Sequence, residues 1–280
     1  MAATAFKTVY RDEWIAGFEV EQSLLRKTVT TEARVNGNSA VFGVIDSGGA
    51  TTVTRGVNGR IQARQQNITQ VTATLTEEHD LVEETGFNIA ASQGASTRRA
   101  QMQRTSYAVV NRKVDSQIIT ALEAGTLYAG VASVTADLGM VVLAKGILGN
   151  NEVPLDGNIS AIISPAFEGY LMQVKEFGSA DYVNSKPFTN QPRMFTWYGV
   201  NWIVHPNVTG VGTSTEKCIM YHKNAIGHAI GMDEMEQEVG YNAEQGYSFA
   251  RTSFYGGAKL LQNTGVIIMR HDGSAFVATA

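Results

Sequence analysis

The chain has 280 residues, 44% hydrophobic and 17% charged, with a formal net charge of −4. That is enough apolar material for one extended domain or two ordinary ones, and too much for a disordered polymer. The negative balance argues against tight, non-specific DNA binding, no apolar run is long enough to cross a bilayer, and the start MAATAFKTVYRDEW lacks the apolar stretch of a signal peptide, so cytoplasmic synthesis is the default.

From the N-terminus, Arg11 to Lys27 reads as a helical or irregular arm and Ala33 to Ile45 as strand or turn. Asp46 to Arg60 carries Gly48, Gly49, Gly56 and Gly59, with Val53 and Val57 as its only larger apolar side chains. Such a stretch cannot fold on its own and should project as a loop or two-stranded arm. Val71, Ala73 and Leu75 then alternate with threonines, which predicts a half-buried strand leading back to the body.

Thr97 to Gly125 predicts one long helix. Tyr107, Val110, Val114, Ile118 and Ala121 recur at steps of three and four, Val109, Ile119 and Leu122 widen the stripe, and Thr105, Arg112, Ser116 and Glu123 fall opposite. At about 1.5 Å per residue it would be roughly 40 Å long, a spine rather than an ordinary helix. Gly125 stands where a left-handed cap is commonest, with Gly130 close behind.

All five prolines fall between residues 150 and 210, and this middle portion reads as an α/β unit. It begins with an amphipathic helix after a Thr135 cap, using Leu138, Val141, Val142 and Leu148. A strand follows at Ile159 to Ile163, then a helix over Ala166 to Val174 capped by Ser164 and started by Pro165. Phe177 to Pro192 is a polar loop, Phe195 to Val204 is strands broken near Gly199, and Lys217 to Tyr221 is another strand. From Glu234 onward, alternation through Tyr247 to Tyr255 and then Val266 to Met269 predicts an antiparallel region joined by a turn at Gln262 to Gly265.

The search for catalytic chemistry is negative, and no cofactor is implied. GVGTSTEK at Gly210 to Lys217 lacks the Gly-Lys-Ser/Thr ending of a phosphate-binding loop and reads as a hairpin turn. His222 and His228 are too widely spaced for one helix face and have no third ligand nearby, and no serine sits in a Gly-x-Ser-x-Gly elbow. Cys218 is the single cysteine, so neither an internal disulfide nor a thiolate metal cage exists, and it reads as a small buried hydrophobe. Glu77, Glu78, Asp80, Glu83 and Glu84 surround His79, but without the calcium-loop spacing they read as a solvated face. A sharper reading pairs Glu77, Glu78, Glu83 and Glu84 with Arg55, Arg60 and Arg64 of the projecting segment, between copies of the chain.

The order of elements resembles the major capsid proteins of tailed double-stranded DNA bacteriophages, whose fold is the α+β Hong Kong 97-type. Family-like stretches are SLLRKTVTTEARVNGNSAVFGVI, VVNRKVDSQIITALEAG, SPAFEGYLMQVKEFGSADYV, CIMYHKNAIGHAI and SFYGGAKLLQNTGVIIM. The resemblance implies a non-enzymatic shell subunit of hexamers and pentamers. It implies an N-terminal arm at 1–45, an extended loop at 46–70, a peripheral domain from 71–130 (with an acidic turn before the spine) and 228–280, and an axial domain at 131–227. The implied partners are other copies, a portal, a separate scaffolding protein, a decoration protein and, non-specifically, packaged DNA; no membrane is involved. Family-like sequence begins within the first few tens of residues, so the expectation is either a separate scaffold or a mature form. The alternatives are an encapsulin-type nanocompartment shell and, from another class, a soluble β-rich hydrolase.

Overall fold

The computed structural model describes residues 22–35, 37–86, 95–178, 194–231 and 236–276. The arm before residue 22, most of the expected loop over Phe177 to Pro192 and the expected start of the antiparallel region at Glu234 lie outside the described residues. The first half holds strands β1 (Thr30–Val35), β2 (Ser39–Asp46), β3 (Asn67–Thr74) and β4 (Thr76–Thr85), helix α1 (Ala95–Leu122), strand β5 (Leu127–Ala129) and helix α2 (Leu138–Asn150). Then come β6 (Ile159–Ile163), α3 (Pro165–Gln173), α4 (Lys175–Gly178), β7 (Met194–Trp197), β8 (Val200–Val204) and β9 (Glu216–His222). Strands β10 (Ile226–Gly231), β11 (Glu236–Asn242), β12 (Tyr247–Leu260) and β13 (Val266–His271) complete the order.

The described residues fall into two compact units. The smaller draws on Glu77–Lys113 and Asp233–Tyr255, the larger on Leu24–Thr76, Val114–Met232 and Gly256–Ala280.

The larger unit is organised around a six-stranded sheet in the order β5-β13-β9-β6-β8-β7. Every residue of β6, ISAII, is buried, as expected of a strand covered on both faces. Strands β6 and β8 run parallel, which requires a crossover, and α3 begins it. The start of α3 follows local chemistry: Ser164 Oγ accepts from the Phe167 N–H at 3.1 Å, and Pro165 occupies the first turn. Helix α2 is capped by Asp137, whose Oδ1 accepts from the Met140 N–H at 2.8 Å. Thr135 is not the cap, and Met140, Val141, Ala144 and Leu148 form the buried face while Val142 points outward. Because β6 lies between β8 and β9, GVGTSTEK is part of a crossover and not the expected hairpin.

In the same unit β1 pairs in parallel with β10, and β10 runs antiparallel to the Gly256–Leu260 end of β12. Strands β2 and β3 form an antiparallel ribbon in continuous register from Ser39↔Thr74 to Asp46↔Asn67, the two-stranded arm expected from the glycine-rich segment. In the smaller unit β4 and β11 both pair with β12. The β11–β12 turn is closed by Asn242, whose Oδ1 accepts from the Glu244 and Gln245 N–H groups at 3.0 and 3.2 Å, with Gly246 left-handed at φ +70°.

Several expectations change here. The acidic segment is strand β4, not a turn, because alternate positions face solvent and their neighbours turn inward. Strands β12 and β13 lie in different sheets, so Gln262 to Gly265 does not join a paired hairpin. Helix α1 has 28 residues, but Tyr107 and Val109 are 36% and 38% exposed; the buried face runs through Met102, Ser106, Val110, Asn111, Val114, Asp115, Ile118 and Leu122. Gly125 is not left-handed. A Cβ there would sit 3.1 Å from Val266 Cγ1 and 3.2 Å from Leu122 O, so close approach is its reason, and Gly130 is the left-handed residue at φ +82°.

Candidate functional site

Residues 45–70 are exposed throughout, and the ribbon that carries them is amphipathic. Ala40 and Ala73, an opposed pair, are buried at its root, and the Phe42 ring packs on Gly227 of β10, where a Cβ would come within 2.9 Å. Gly257 of β12 likewise leaves room for the Thr74 carbonyl. On the opposite face Val41, Ile45 and Ile68 are each 59% exposed, Ile45 and Ile68 as a cross-strand pair. A ribbon of two strands is marginal by itself, and this one presents an apolar strip to solvent that its own unit does not cover.

The loop at the ribbon's end is held by local bonds. Asp46 Oδ1 accepts from the Gly48 N–H at 2.8 Å and Asn67 Nδ2 at 2.7 Å, and Arg64 Nη1 donates to Ser47 O at 3.1 Å. Arg55 and Arg60 are exposed on either side of a tight turn in which the Gly59 N–H donates to Gly56 O at 2.8 Å. Of the three arginines expected to reach a neighbour, Arg64 therefore has a structural duty in its own loop.

In the smaller unit the carboxylates of β4 are woven into the sheet. Glu77 Oε1 accepts from His79 Nε2 at 2.7 Å and from the Tyr255 hydroxyl at 3.1 Å, which raises the Tyr255 phenol above its ordinary range. Glu78 pairs with Lys113 of α1 at 3.1 Å, Glu83 is exposed, and Glu84 is half-buried. Ser106 of α1 donates to Thr252 of β12 at 3.0 Å, fixing the helix on the sheet.

One polar centre of the larger unit had no signal in the sequence. Asp115 faces inward from α1 and accepts from the Leu24 N–H at 3.1 Å, the Leu25 N–H at 3.3 Å and His205 Nε2 at 3.2 Å. It ties the chain at Leu24 and Leu25 to the spine and to His205, the residue just after β8. The Thr28 hydroxyl adds a hydrogen bond to the Tyr221 hydroxyl. The two histidines considered as ligands serve other ends: His222 bonds Asp156 at 3.2 Å and caps the following turn through the Asn224 N–H, while His228 is buried in β10.

Comparison with known proteins fits this architecture. Residues 2–273 match the family described as phage capsid protein. The fold matches Mycobacterium phage Che8 with a TM-score of 0.71 at 15% identity, covering 95% of this chain and 97% of that one. It matches the capsid of Ralstonia phage GP4 with a TM-score of 0.70 at 12% identity, covering 99% and 98% of the two chains. The capsid of Cyanophage P-SCSP1u matches with a TM-score of 0.70 at 12% identity, covering 95% and 93%. No curated protein matches the sequence. The expected α+β capsid fold is borne out, and the comparisons support neither the nanocompartment nor the hydrolase alternative. With the family match running over nearly the whole chain, this protein belongs to the phage capsid protein family.

Proposed function

We propose that the chain is the major shell subunit of an icosahedral head that encloses double-stranded DNA, assembled as hexamers and pentamers in the host cytoplasm. The observation that carries this reading is the projecting ribbon. Its root is tied down by Phe42 and Ala73, while its Val41, Ile45 and Ile68 strip is left for another surface to cover. A neighbouring copy is the partner always present in a shell. In this reading residues 46–70 are the extended loop, 131–227 the axial domain, and 71–130 with 228–280 the peripheral domain.

Arg55, Arg60 and Arg64 then face carboxylates of an adjoining copy, with Glu77, Glu78, Glu83 and Glu84 as the candidates. Exposed pairs of this kind set register more than they add affinity. A portal, a separate scaffolding protein and a decoration protein complete the assembly, and the packaged DNA touches the wall without sequence preference. The net charge of −4 supports weak contact with the genome. Sedimentation or light scattering of the purified protein, with a scaffold supplied where needed, should show closed particles of megadalton mass. A stable monomer or dimer under all such conditions overturns the reading.

A further inference from the structure

Inside the larger unit, three side chains of different chemistry meet. Glu216 and Cys218 are two apart on β9 and share one face, and the antiparallel register sets His271 of β13 directly opposite Glu216. All three residues are fully buried. A carboxylate oxygen, the sulfur and an imidazole nitrogen lie within 4.8 Å of one another. His271 Nε2 stands 3.6 Å from Glu216 Oε1, too far for a hydrogen bond. Glu216 Oε1 and both ring nitrogens of His271 are buried without a hydrogen-bond partner among the described residues. Interiors rarely leave polar atoms in that condition, because each costs about 1–3 kcal/mol.

We infer that Glu216, Cys218 and His271 form a structural binding site for a zinc-class divalent ion. The donor set selects the metal: thiolate and imidazole suit zinc, whereas calcium and magnesium take oxygen ligands. The ligands are also held from behind. The Gly212 N–H donates to Glu216 Oε2 at 3.2 Å, which orients the carboxylate and leaves Oε1 toward the ion, and the Ser164 N–H points at Cys218 Sγ at 3.4 Å. Phe167 packs edge-on against the His271 ring at 5.0 Å, and the absence of a side chain at Gly273 makes room for the Glu216 carboxylate. Burial, with a smaller contribution from the Glu216 charge, pushes the Cys218 thiol above its ordinary range. A bound cation reverses that preference, since the ligand is the thiolate and its proton leaves to solvent on binding. Strands β9 and β13 are neighbours within the six-stranded sheet, so the ion pins them together.

The test is metal content and spectroscopy on the whole chain, with readouts that do not depend on particle formation. Protein from zinc-supplemented cells, dialysed and analysed by mass spectrometry, should hold one zinc per chain. Chelation should lower the melting temperature and zinc should restore it. Cobalt in place of zinc should give a thiolate-to-metal charge-transfer band that Cys218→Ala abolishes. Zinc affinity should fall by at least about tenfold in Cys218→Ala and in His271→Gln. Background zinc in the parent with no cobalt–thiolate band overturns the inference, as does unchanged zinc content in both variants. Should His271→Gln fail to fold, the parent's cobalt spectrum and Cys218→Ala, a small substitution, still decide.

Discussion

Asp115 and His205 meet at 3.2 Å with their side chains 2% and 3% exposed, and the bond has a direction. The Asn207 N–H donates to His205 Nδ1 at 3.1 Å, so Nδ1 is the acceptor and Nε2 carries the proton that Asp115 receives. With the Leu24 and Leu25 N–H groups, three donors converge on one carboxylate in the middle of a long helix. Replacing Asp115 with Ala strands all three, and the expected loss is about 3–5 kcal/mol of unfolding free energy. Asp115→Asn, which keeps an acceptor oxygen, should cost less. Chemical denaturation of the two variants measures both, and an Ala variant within about 0.5 kcal/mol of the parent would show that the site is not structural.

Charge reversal on the loop separates assembly from folding. The triple change of Arg55, Arg60 and Arg64 to Glu should leave the melting temperature nearly unchanged while abolishing particles, because exposed substitutions seldom unfold a protein. Each lost pair is worth only a few tenths to about 1 kcal/mol, but the loss repeats around the shell. Normal particle yield on sedimentation would mean that these residues make no contact that assembly needs.

Covalent cross-links between subunits are not expected. A loop amine is needed as the nucleophile of a lysine–asparagine bond, and the sequence has no lysine between Lys27 and Lys113. The loop offers only arginines, whose delocalised guanidinium groups are poor nucleophiles. The single Cys218 is buried, which bars it from an inter-chain disulfide. Particles boiled in detergent and reductant should give one band near the chain mass of 30.2 kDa; a ladder of multiples would refute this.

A pH dependence follows from His228. Burial, with a smaller contribution from Arg26 and opposition from Asp115, holds its pKa down to about 4 against an ordinary 6.5. The folded protein therefore keeps the ring neutral while the unfolded chain takes up a proton. Its contribution to stability is complete above about 6.5 and is lost as pH falls toward about 4. The full effect is up to about 3 kcal/mol. Urea midpoints of His228→Gln should depend less on pH across that window than the parent's, and identical slopes would exclude His228 as the source.

The root of the ribbon offers a steric test. A Cβ at Gly257 would collide with the Thr74 carbonyl, which is backbone and cannot swing aside. Gly257→Ala should destabilise by about 1–3 kcal/mol through overpacking, whereas Gly59→Ala, at φ +69° in open space, should cost no more than about 1 kcal/mol of backbone strain. Thermal melts of the two variants decide, and an equal effect would show that the root contact is slack.

What could be read from the sequence was what local chemistry decides. Ser164 and Pro165 start α3 by capping and a fixed φ, the glycines of the loop exclude a core, and the three-to-four spacing of Val110, Val114 and Ile118 marks the spine. Misreadings arose where distant residues decide. The acidic run became strand β4 because β12 brings Tyr255 and the spine brings Lys113 to its carboxylates. Asp115 gave no signal in the helix pattern because its donors come from Leu24, Leu25 and His205, far away in sequence. The sequence reading places the cap of α2 at Thr135, two residues too early, and the Met140 N–H bond to Asp137 corrects it. Glu216, Cys218 and His271 form no motif, since only the pairing of β9 with β13 unites them.

That pairing governs how the chain is made. Strand β13 lies inside its sheet, between β5 and β9, and β1 waits for β10. A ribosome delivering this polypeptide therefore exposes the early strands well before their partners emerge, and the sheet closes only when its last strand arrives. The same order applies to the ribbon: its root rests on Gly227 of β10 and Gly257 of β12, so a product terminated before them has no seat for it.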